Sequence, residues 1–418
     1  MKTRRIIVCG LLTVILAFTF TVCNDGGGNS DFWKITWNLN GGTFASGSNH
    51  PTQIEKDAVL AKPYPNPTKA GNYFNGWYSN SGLTQAYNFA GPVTADLYLY
   101  AKWEVGDQPP ADINVTAGST LAEKLQWVWH NLQINATYFI KVNDDETIAP
   151  QDLAYADMGI TIHLEGIDGE KVISCSSYKD SIFSVHKGVT LILDNNITLK
   201  GGGPIVSVSD GGAFEIREGV KLSDGNESSG GGVYVRGTFT MNGGEISGNT
   251  ATSGGGVSVF YGTFTMNGGK ISGNTAAAAY FDNCGGGVEV YKGTFTMNGG
   301  EITGNTAQYG GGVYILDGTF TMNNGTISGN TAQYYNTYNY SGGNGGGVYV
   351  GNNGNFRIVT GTVYGSDAEV GLRNTADSGA ALYGTAQYGT FSGETWTSAG
   401  NLSTTNNTIK VVNGVLQQ

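Results

Sequence analysis

In this 418-residue chain, the side chains that could act on a substrate are its 33 carboxylates, four histidines and four cysteines, and their spacing decides which chemistry is open to them. Asp210, Glu215, Arg217, Glu218 and Asp224 are the densest set of acids around a strong cation. Carboxylates that hold Ca²⁺ beside an Arg or Lys base would support proton abstraction from an acidic sugar polymer. Glu215 and Arg217 alternate with Phe214 and Ile216, so both point outward. No similar acids stand at the same places in the neighbouring repeats. Glycoside hydrolysis needs two carboxylates at a set separation. Glu245 and Glu301 share a repeat position, but Lys270 lies between them, the pattern of a charge-paired solvent face. His50, His130, His163 and His186 are scattered, and no phosphate loop, CxxC or HExxH motif is present. The expectation is a protein with no catalytic residue, no metal site and no cofactor; the alternative is a polysaccharide lyase or glycoside hydrolase.

Aromatic side chains offer recognition by surface contact. Residues 276–284 (AAAAYFDNC) and 333–344 (QYYNTYNYSGGN) interrupt a repeated pattern at one corner, after SGNTA and before GGGV. Insertions at equivalent corners leave one side of a solenoid, where repeat proteins commonly bind. They carry Tyr280, Phe281, Tyr334, Tyr335, Tyr338 and Tyr340 to the side that holds Tyr309. Alternation turns Tyr314 and Tyr349 of the adjoining strands outward as well. Tyrosine brings a flat apolar face and a hydroxyl at small entropic cost, which suits a sugar ring or a protein hot spot. These nine residues form the expected ligand-binding set, for surface glycans or proteins. A second outward array, Thr238/Thr240, Thr263/Thr265, Thr294/Thr296 and Thr319/Thr321, resembles the flat ice-binding faces of some β-helical antifreeze proteins. Threonine is also simply a good outward strand former.

The repeat positions all of these residues. GTFTMNGG starts at Gly237, Gly262 and Gly293, GTFTMNNG at Gly318, and a degenerate copy at Gly354. Weaker copies start at Gly159, Gly188 and Gly212, so the period is about 25 residues, with insertions of six and eleven. Each unit reads as three short strands separated by Gly/Asn turns. Phe214, Phe239, Phe264, Phe295, Phe320 and Phe356 recur in one place; Met241, Met266, Met297 and Met322 in another; Ile246, Ile271, Ile302 and Ile327 in a third. No unit can bury that face alone, whereas stacked units bury it continuously. This predicts an all-β protein ending in a right-handed parallel β-helix of three strands per coil and about eight coils, over 113–418. Asn249, Asn274, Asn305 and Asn330 recur in SGNTA or TGNTA and are expected to stack into an amide ladder. Thr120 and Glu123 form a capping box before Leu121, Leu125, Val128 and Leu132, predicting a helix over 119–132 that closes the N-terminal end. Residues 408–418 read as a last strand.

Gly contributes 67 residues and charged side chains only 13%, without a Gly every third position, which excludes collagen and long helical rods. Met1–Arg5 is basic, residues 6–22 are an uncharged apolar run, and Asn24 onward is polar. This reads as a signal peptide over 1–22, with Cys23 as the lipidated anchor of a tether over 23–31. Its partner would be the membrane, at the outer membrane or cell surface; secretion is the alternative. Removal of Lys2, Arg4 and Arg5 takes the net charge from −11 to −14, which excludes nucleic acid as a partner. A monomer is expected. Cys175 and Cys284 are too far apart in sequence to make a disulfide framework or a metal spacing.

Residues 32–104 run NGGT at 40–43, PYPNPTKAGNYFNGWY at 63–78 and YAKW at 100–103. They resemble the internalin B-repeat, or Listeria–Bacteroides repeat, which implies a compact β-grasp-like surface module with Trp77 and Trp103 in its core. Asn40-Gly41-Gly42 predicts a hairpin turn, and residues 105–112 read as a linker. The I-S-G-N-T-A…G-G-G-V phrase over 230–350 resembles the repeats of chlamydial polymorphic outer-membrane adhesins, which implies surface display. The scaffold as a whole is similar to pectate-lyase-like β-helices. Together these resemblances imply an exported surface protein that serves adhesion, with a passive spacer as a further alternative.

Overall fold

The computed structural model describes residues 31–44, 46, 48–63, 66–89, 91–105, 111–155, 157–277, 284–333 and 343–417. The signal segment, Cys23, Tyr280, Phe281, Tyr334, Tyr335, Tyr338 and Tyr340 lie outside the described residues. The chain divides into two units, residues 1–107 and 108–418.

The first unit is a curled sheet of β1 (Phe32–Asn38), β2 (Gln53–Glu55), β3 (Asn72–Tyr78) and β4 (Leu97–Val105), in the order β2-β1-β4-β3. The turn expected at Asn40-Gly41-Gly42 forms. Asn40 and Gly41 have φ of 47° and 83°, and Gly42 N donates to Leu39 O at 2.9 Å. It does not close a local hairpin: β1 pairs antiparallel with β2 and parallel with β4, and Thr43 bridges Thr68. The turn instead lays Gly42 against Trp103, where a Cβ would collide with the indole. Trp103 Nε1 donates to Leu39 O at 2.8 Å, and Asn40 Nδ2 donates to Ala101 O at 2.7 Å. The NGGT and AKW phrases are thus two halves of one contact. Trp77 is buried with Ile35, Leu60, Val93, Leu99 and Ala101, and Trp103 packs partly buried against that core.

The second unit is the parallel β-helix. Three long sheets run along it, named here for their inward residues. In one coil, Val233–Val235 belongs to the Val sheet, Thr238–Met241 to the Phe sheet and Glu245–Ser247 to the Ile sheet. Among the described residues these sheets have nine, twelve and eleven strands. The structure adds a fourth, five-stranded sheet at the SGNTA phrase, from Asn226–Ser229 to Thr331–Ala332. It also starts the stack before the first recognisable repeat, with Thr137–Val142 beside Ile160–Gly166 and Asp112–Asn114 beside Thr137–Val142. Asp112 therefore belongs to the coil stack rather than to the linker.

In-register pairing places like on like. Phe239 faces Phe264, Phe264 faces Phe295, and Phe295 faces Phe320 across successive rungs. The six phenyl rings stack with centroids 4.5 to 5.1 Å apart and interplanar angles of 14° or less. Each is almost fully buried, as are the Met and Ile columns. Such a side chain contributes about 1.5–3 kcal/mol by leaving water. The asparagine ladder forms inside the coil, and it continues to Asn374. Asn274 shows its chemistry. Its Nδ2 donates to Ile246 O and to Asn305 Oδ1, both at 2.9 Å; its Oδ1 accepts Asn249 N and Asn249 Nδ2, both at 3.0 Å.

Two glycines of the repeat are fixed by these columns. A Cβ on Gly256, Gly287 or Gly312, the last of each GGG, would lie 3.0 Å from the Nδ2 of Asn274, Asn305 or Asn330. The second Gly of each NGG, such as Gly269 and Gly300, has positive φ and would clash with the methyl of Met241 or Met266 one coil earlier.

Both ends are closed. Helix α1, Leu121–His130, has Thr120 as its cap: Glu123 N donates to Thr120 Oγ1 and Thr120 N to Glu123 Oε2, each at 3.2 Å. Leu121, Leu125 and Val128 are buried, and the helix packs on Thr137–Val142 and Glu146–Ile148. At the other end the chain reverses. Ile409–Val412 pairs antiparallel with Gly361–Val363 and turns back through Val415–Leu416, so the expected last strand is a hairpin. A second antiparallel pair, Ala386–Ser392 with Thr395–Leu402, finishes the Phe sheet.

Phe264→Ala is expected to destabilise the protein by about 3–5 kcal/mol, read as a lower urea midpoint; an unchanged midpoint would disprove the stacked column. Asn305→Ala leaves several buried partners without bonds, at about 1–3 kcal/mol each. Asn298→Ala, in the exposed row described below, should stay within about 0.5 kcal/mol of wild type. Urea unfolding of the pair separates the two ladders.

Candidate functional site

The outward residues of the Val sheet form the candidate site. Register puts Tyr234, Ser258, Glu289, Tyr314, Tyr349 and Tyr383 in one column. A second column holds Phe260, Tyr291 and Leu316. The inward partners on the same strands, from Val233 to Val350, are buried. Just ahead of this sheet, Ser253, Cys284, Tyr309, Asn344 and Ser378 bridge one another in a row. Both insertions rejoin the coil in that row, at Cys284 and at 343–344, the edge that also borders the tyrosine column.

Of the nine expected site residues, the structure places three, and it brings them together. Tyr349 lies 5.1 Å from Tyr314, with planes 19° apart, and 5.4 Å from Tyr309, with planes 57° apart. Tyr383 joins them, stacked on Tyr349 at 4.9 Å and 9°. The other six expected residues lie outside the described residues. Tyr383 was missed because its coil carries no full repeat, yet its signal is present: Asn374-Thr375-Ala376 repeats the NTA of the ladder, and Ala380-Ala381-Leu382-Tyr383 stands where GGVY stands elsewhere.

The geometry changes the chemistry expected of these rings. Near-parallel planes about 5 Å apart are an offset stack, in which each ring face is largely taken by its neighbour. The half-buried tyrosine column therefore shows ring edges, not a row of open platforms for sugar stacking. Burial pushes the Tyr314 phenol pKa up, with Cys284 beside it as the next cause. Burial, followed by Tyr383 and Tyr309, does the same for Tyr349.

One ring of this face departs from the stack. Tyr261, next to Phe260, is 55% exposed and holds a left-handed backbone with φ of 61°. For a bulky residue that conformation costs about 1–3 kcal/mol. Its ring stands edge-on to Phe260 at 4.9 Å and 74°, and to Tyr291 at 5.9 Å and 77°.

Glu215, Arg217 and Asp224 of the carboxylate cluster stand in ion pairs. Glu215 Oε1 accepts Arg217 Nε at 2.6 Å, and Asp194 Oδ2 accepts Arg217 Nη1 at 2.9 Å while lying 3.1 Å from His163 Nε2. Asp224 lies 3.4 Å from Lys200. Glu215 Oε1 also accepts Asn242 Nδ2 at 3.0 Å, which begins an exposed row through Asn267, Asn298 and Asn323 at 2.7 to 2.8 Å. Glu245, Lys270 and Glu301 face one another rung by rung, as expected. Among the described residues no three His, Cys, Asp or Glu side chains gather as a metal site.

Residues 33–102 match the Listeria–Bacteroides repeat domain. A protein of Evansella cellulosilytica named "Putative membrane protein" is 28% identical over 161 residues, which is 32% of this chain and 24% of that protein. Another from the same organism, named "Putative Gly-rich membrane protein", is 37% identical over 75 residues, 16% of this chain and 9% of that protein. The chain thus spans under a quarter of the length of these relatives. No solved structure matches. No helix among the described residues is long and apolar enough to cross a membrane.

The raised phenols predict an alkaline signature. A tyrosine whose folded pKa is raised adds stability below its unfolded value of about 10, and that stability is lost as pH rises through the folded value. Phenolate absorbance should show a fraction of tyrosines that ionise only on unfolding, and Tyr314→Phe should move the alkaline unfolding midpoint upward. Ionisation of every tyrosine near pH 10 in the folded protein would contradict the half-buried, stacked column.

Proposed function

We propose that this chain is an exported protein of the cell surface, held to the membrane by a lipid on Cys23. Its β-helix serves binding, not catalysis. The observation that carries this reading is the tyrosine face of the Val sheet. Partly exposed phenols stand on a stiff solenoid at the one edge from which both aromatic-rich insertions leave. The names of the relatives support a membrane address, and the repeat domain in the first unit fits a surface module. The ligand is a glycan or a protein that meets the exposed ring edges of this face. Ring edges on a preformed scaffold bind with little ordering cost.

A glycan and matrix-protein array probed with residues 24–418 tests the binding half. Tyr349→Ala and replacement of 334–341 by a Gly-Ser link should each lower the array signal at least tenfold while the urea midpoint of the shortened protein stays in place. Full binding by both variants would remove the site. For the anchor, wild type expressed in a lipoprotein-competent host should enter the detergent phase and Cys23→Ser the aqueous phase; equal partitioning would sink the lipid anchor.

A further inference from the structure

We propose that the corner formed by Tyr261 and Lys292, with Arg236 beside it, is a binding site for a carboxylate-bearing glycan chain. The proposal rests on the reading that the Val-sheet face binds ligands, and it names the class of ligand taken at one margin of that face. The first argument is the backbone. The corner after each Val-sheet strand takes a left-handed residue in four successive coils: Tyr261, Lys292, Asp317 and Asn353, with φ of 61°, 51°, 54° and 56°. Asp and Asn adopt this conformation readily, whereas Tyr and Lys do so at a cost. A turn that only had to turn would keep the Asn of position 353. The two unfavourable choices are adjacent, and Lys292 Nζ reaches over the Tyr261 ring, whereas the favourable pair, Asp317 and Asn353, only hydrogen-bond to each other.

The second argument is ring geometry. Tyr314, Tyr349 and Tyr383 cover one another, but Tyr261 is perpendicular to both of its aromatic neighbours and exposed. It offers exposed ring surface beside a cation, against which a sugar ring can pack. The third is charge. Lys292 Nζ lies 5.6 Å from the Tyr261 ring centroid and 5.2 Å from that of Tyr291, and Arg236 Cζ lies 6.0 Å from that of Phe260. Among the described residues neither cation has a carboxylate within ion-pair distance. The chain as a whole is acidic, with a net charge of −11. The acids of the adjoining positions are engaged elsewhere: Glu289 accepts Ser258 Oγ at 2.8 Å, and Asp317 accepts Asn353 Nδ2 at 2.9 Å. Arg236 and Lys292 are two rungs apart, about 10 Å. A polymer with repeating carboxylates lying along the solenoid axis would meet both cations and lay one ring on Tyr261. A single small acid would meet only one.

The test uses hyaluronan and alginate as carboxylated chains and the methyl ester of hyaluronan as the uncharged control. Calorimetry with residues 24–418 should show binding to the acids that weakens as salt rises, and at least tenfold weaker binding of the ester. Lys292→Gln should lower affinity for the acids at least tenfold. Tyr261→Asn should do the same while its melting temperature equals or exceeds that of wild type, because Asn suits the backbone there. A residue that served only the fold would instead lose stability on replacement. The proposal is overturned if neither acid binds, if the ester binds as well as the acid, or if either variant binds like wild type. Array ligands held through Tyr349 with no response to the acids would refute this site and leave the wider binding face standing. An array without any ligand would refute both.

Discussion

The buried asparagine ladder is the interaction on which the coil geometry depends. An amide in a dry interior is tolerated only when both donors and both acceptor positions are used. From Asn249 to Asn374 each rung supplies partners to the next, and the ends are served too: Gly225 N donates to Asn249 Oδ1 at 2.9 Å, and Asn374 Nδ2 donates to Tyr364 O at 2.7 Å. This condition fixes the spacing of successive coils, since an amide cannot bond to its neighbour across a larger gap. It also dictates the last glycine of the GGG that precedes each asparagine, because that glycine lies against the amide and has room for no Cβ. The two most repeated phrases, GNTA and GGGV, are the two sides of one contact.

That coupling explains what the sequence revealed and what it hid. Phe264, Met266, Ile271 and Asn274 stand at fixed spacings in an exact repeat, and periodicity alone places them in separate columns. The fourth sheet at the Asn phrase was not legible. Thr250 and Ala251 look like turn residues, and they become a strand only because the ladder brings Thr275 and Ala276 alongside them. The coil with Tyr383 was hidden by the separation of 44 positions from Asn330 to Asn374, although the NTA triplet survives there. In the first unit Asn40-Gly41-Gly42 announced its turn but not its purpose. The Trp103 indole that it receives lies about sixty residues away, and local pattern carries no information on such a pair.

The candidate site was half legible for the same reason. Alternation alone turns Tyr314 and Tyr349 outward, but whether their faces are open or stacked depends on rung-to-rung packing. In-register pairing decides that matter at about 5 Å per rung, a distance at which identical flat rings must lie on one another. Tyr261 escapes by leaving the strand for the corner. That freedom comes from a backbone conformation that a tyrosine adopts only at a cost, so the open ring and the strain have one origin.

The repeat also supplies its own control for judging function. On the Phe sheet the outward positions are the same through four coils: Thr238, Thr263, Thr294 and Thr319 in one column, Thr240, Thr265, Thr296 and Thr321 in another, with Ala213/Glu215 and Asn355/Arg357 on either side of them. Solvation and strand propensity ask for nothing more, and one residue type answers them every time. Across the same four coils the inward positions of the Val sheet remain Val or Ile, from Val233 to Ile315, yet the outward column reads Tyr234, Ser258, Glu289, Tyr314. Both faces rest on the same scaffold and meet the same water. The Val sheet departs from uniformity only outside and only on the side that also carries both insertions. Fold requirements are equal on the two faces, so they do not account for the difference between them, and that difference is what supports reading the Val-sheet face as the binding face.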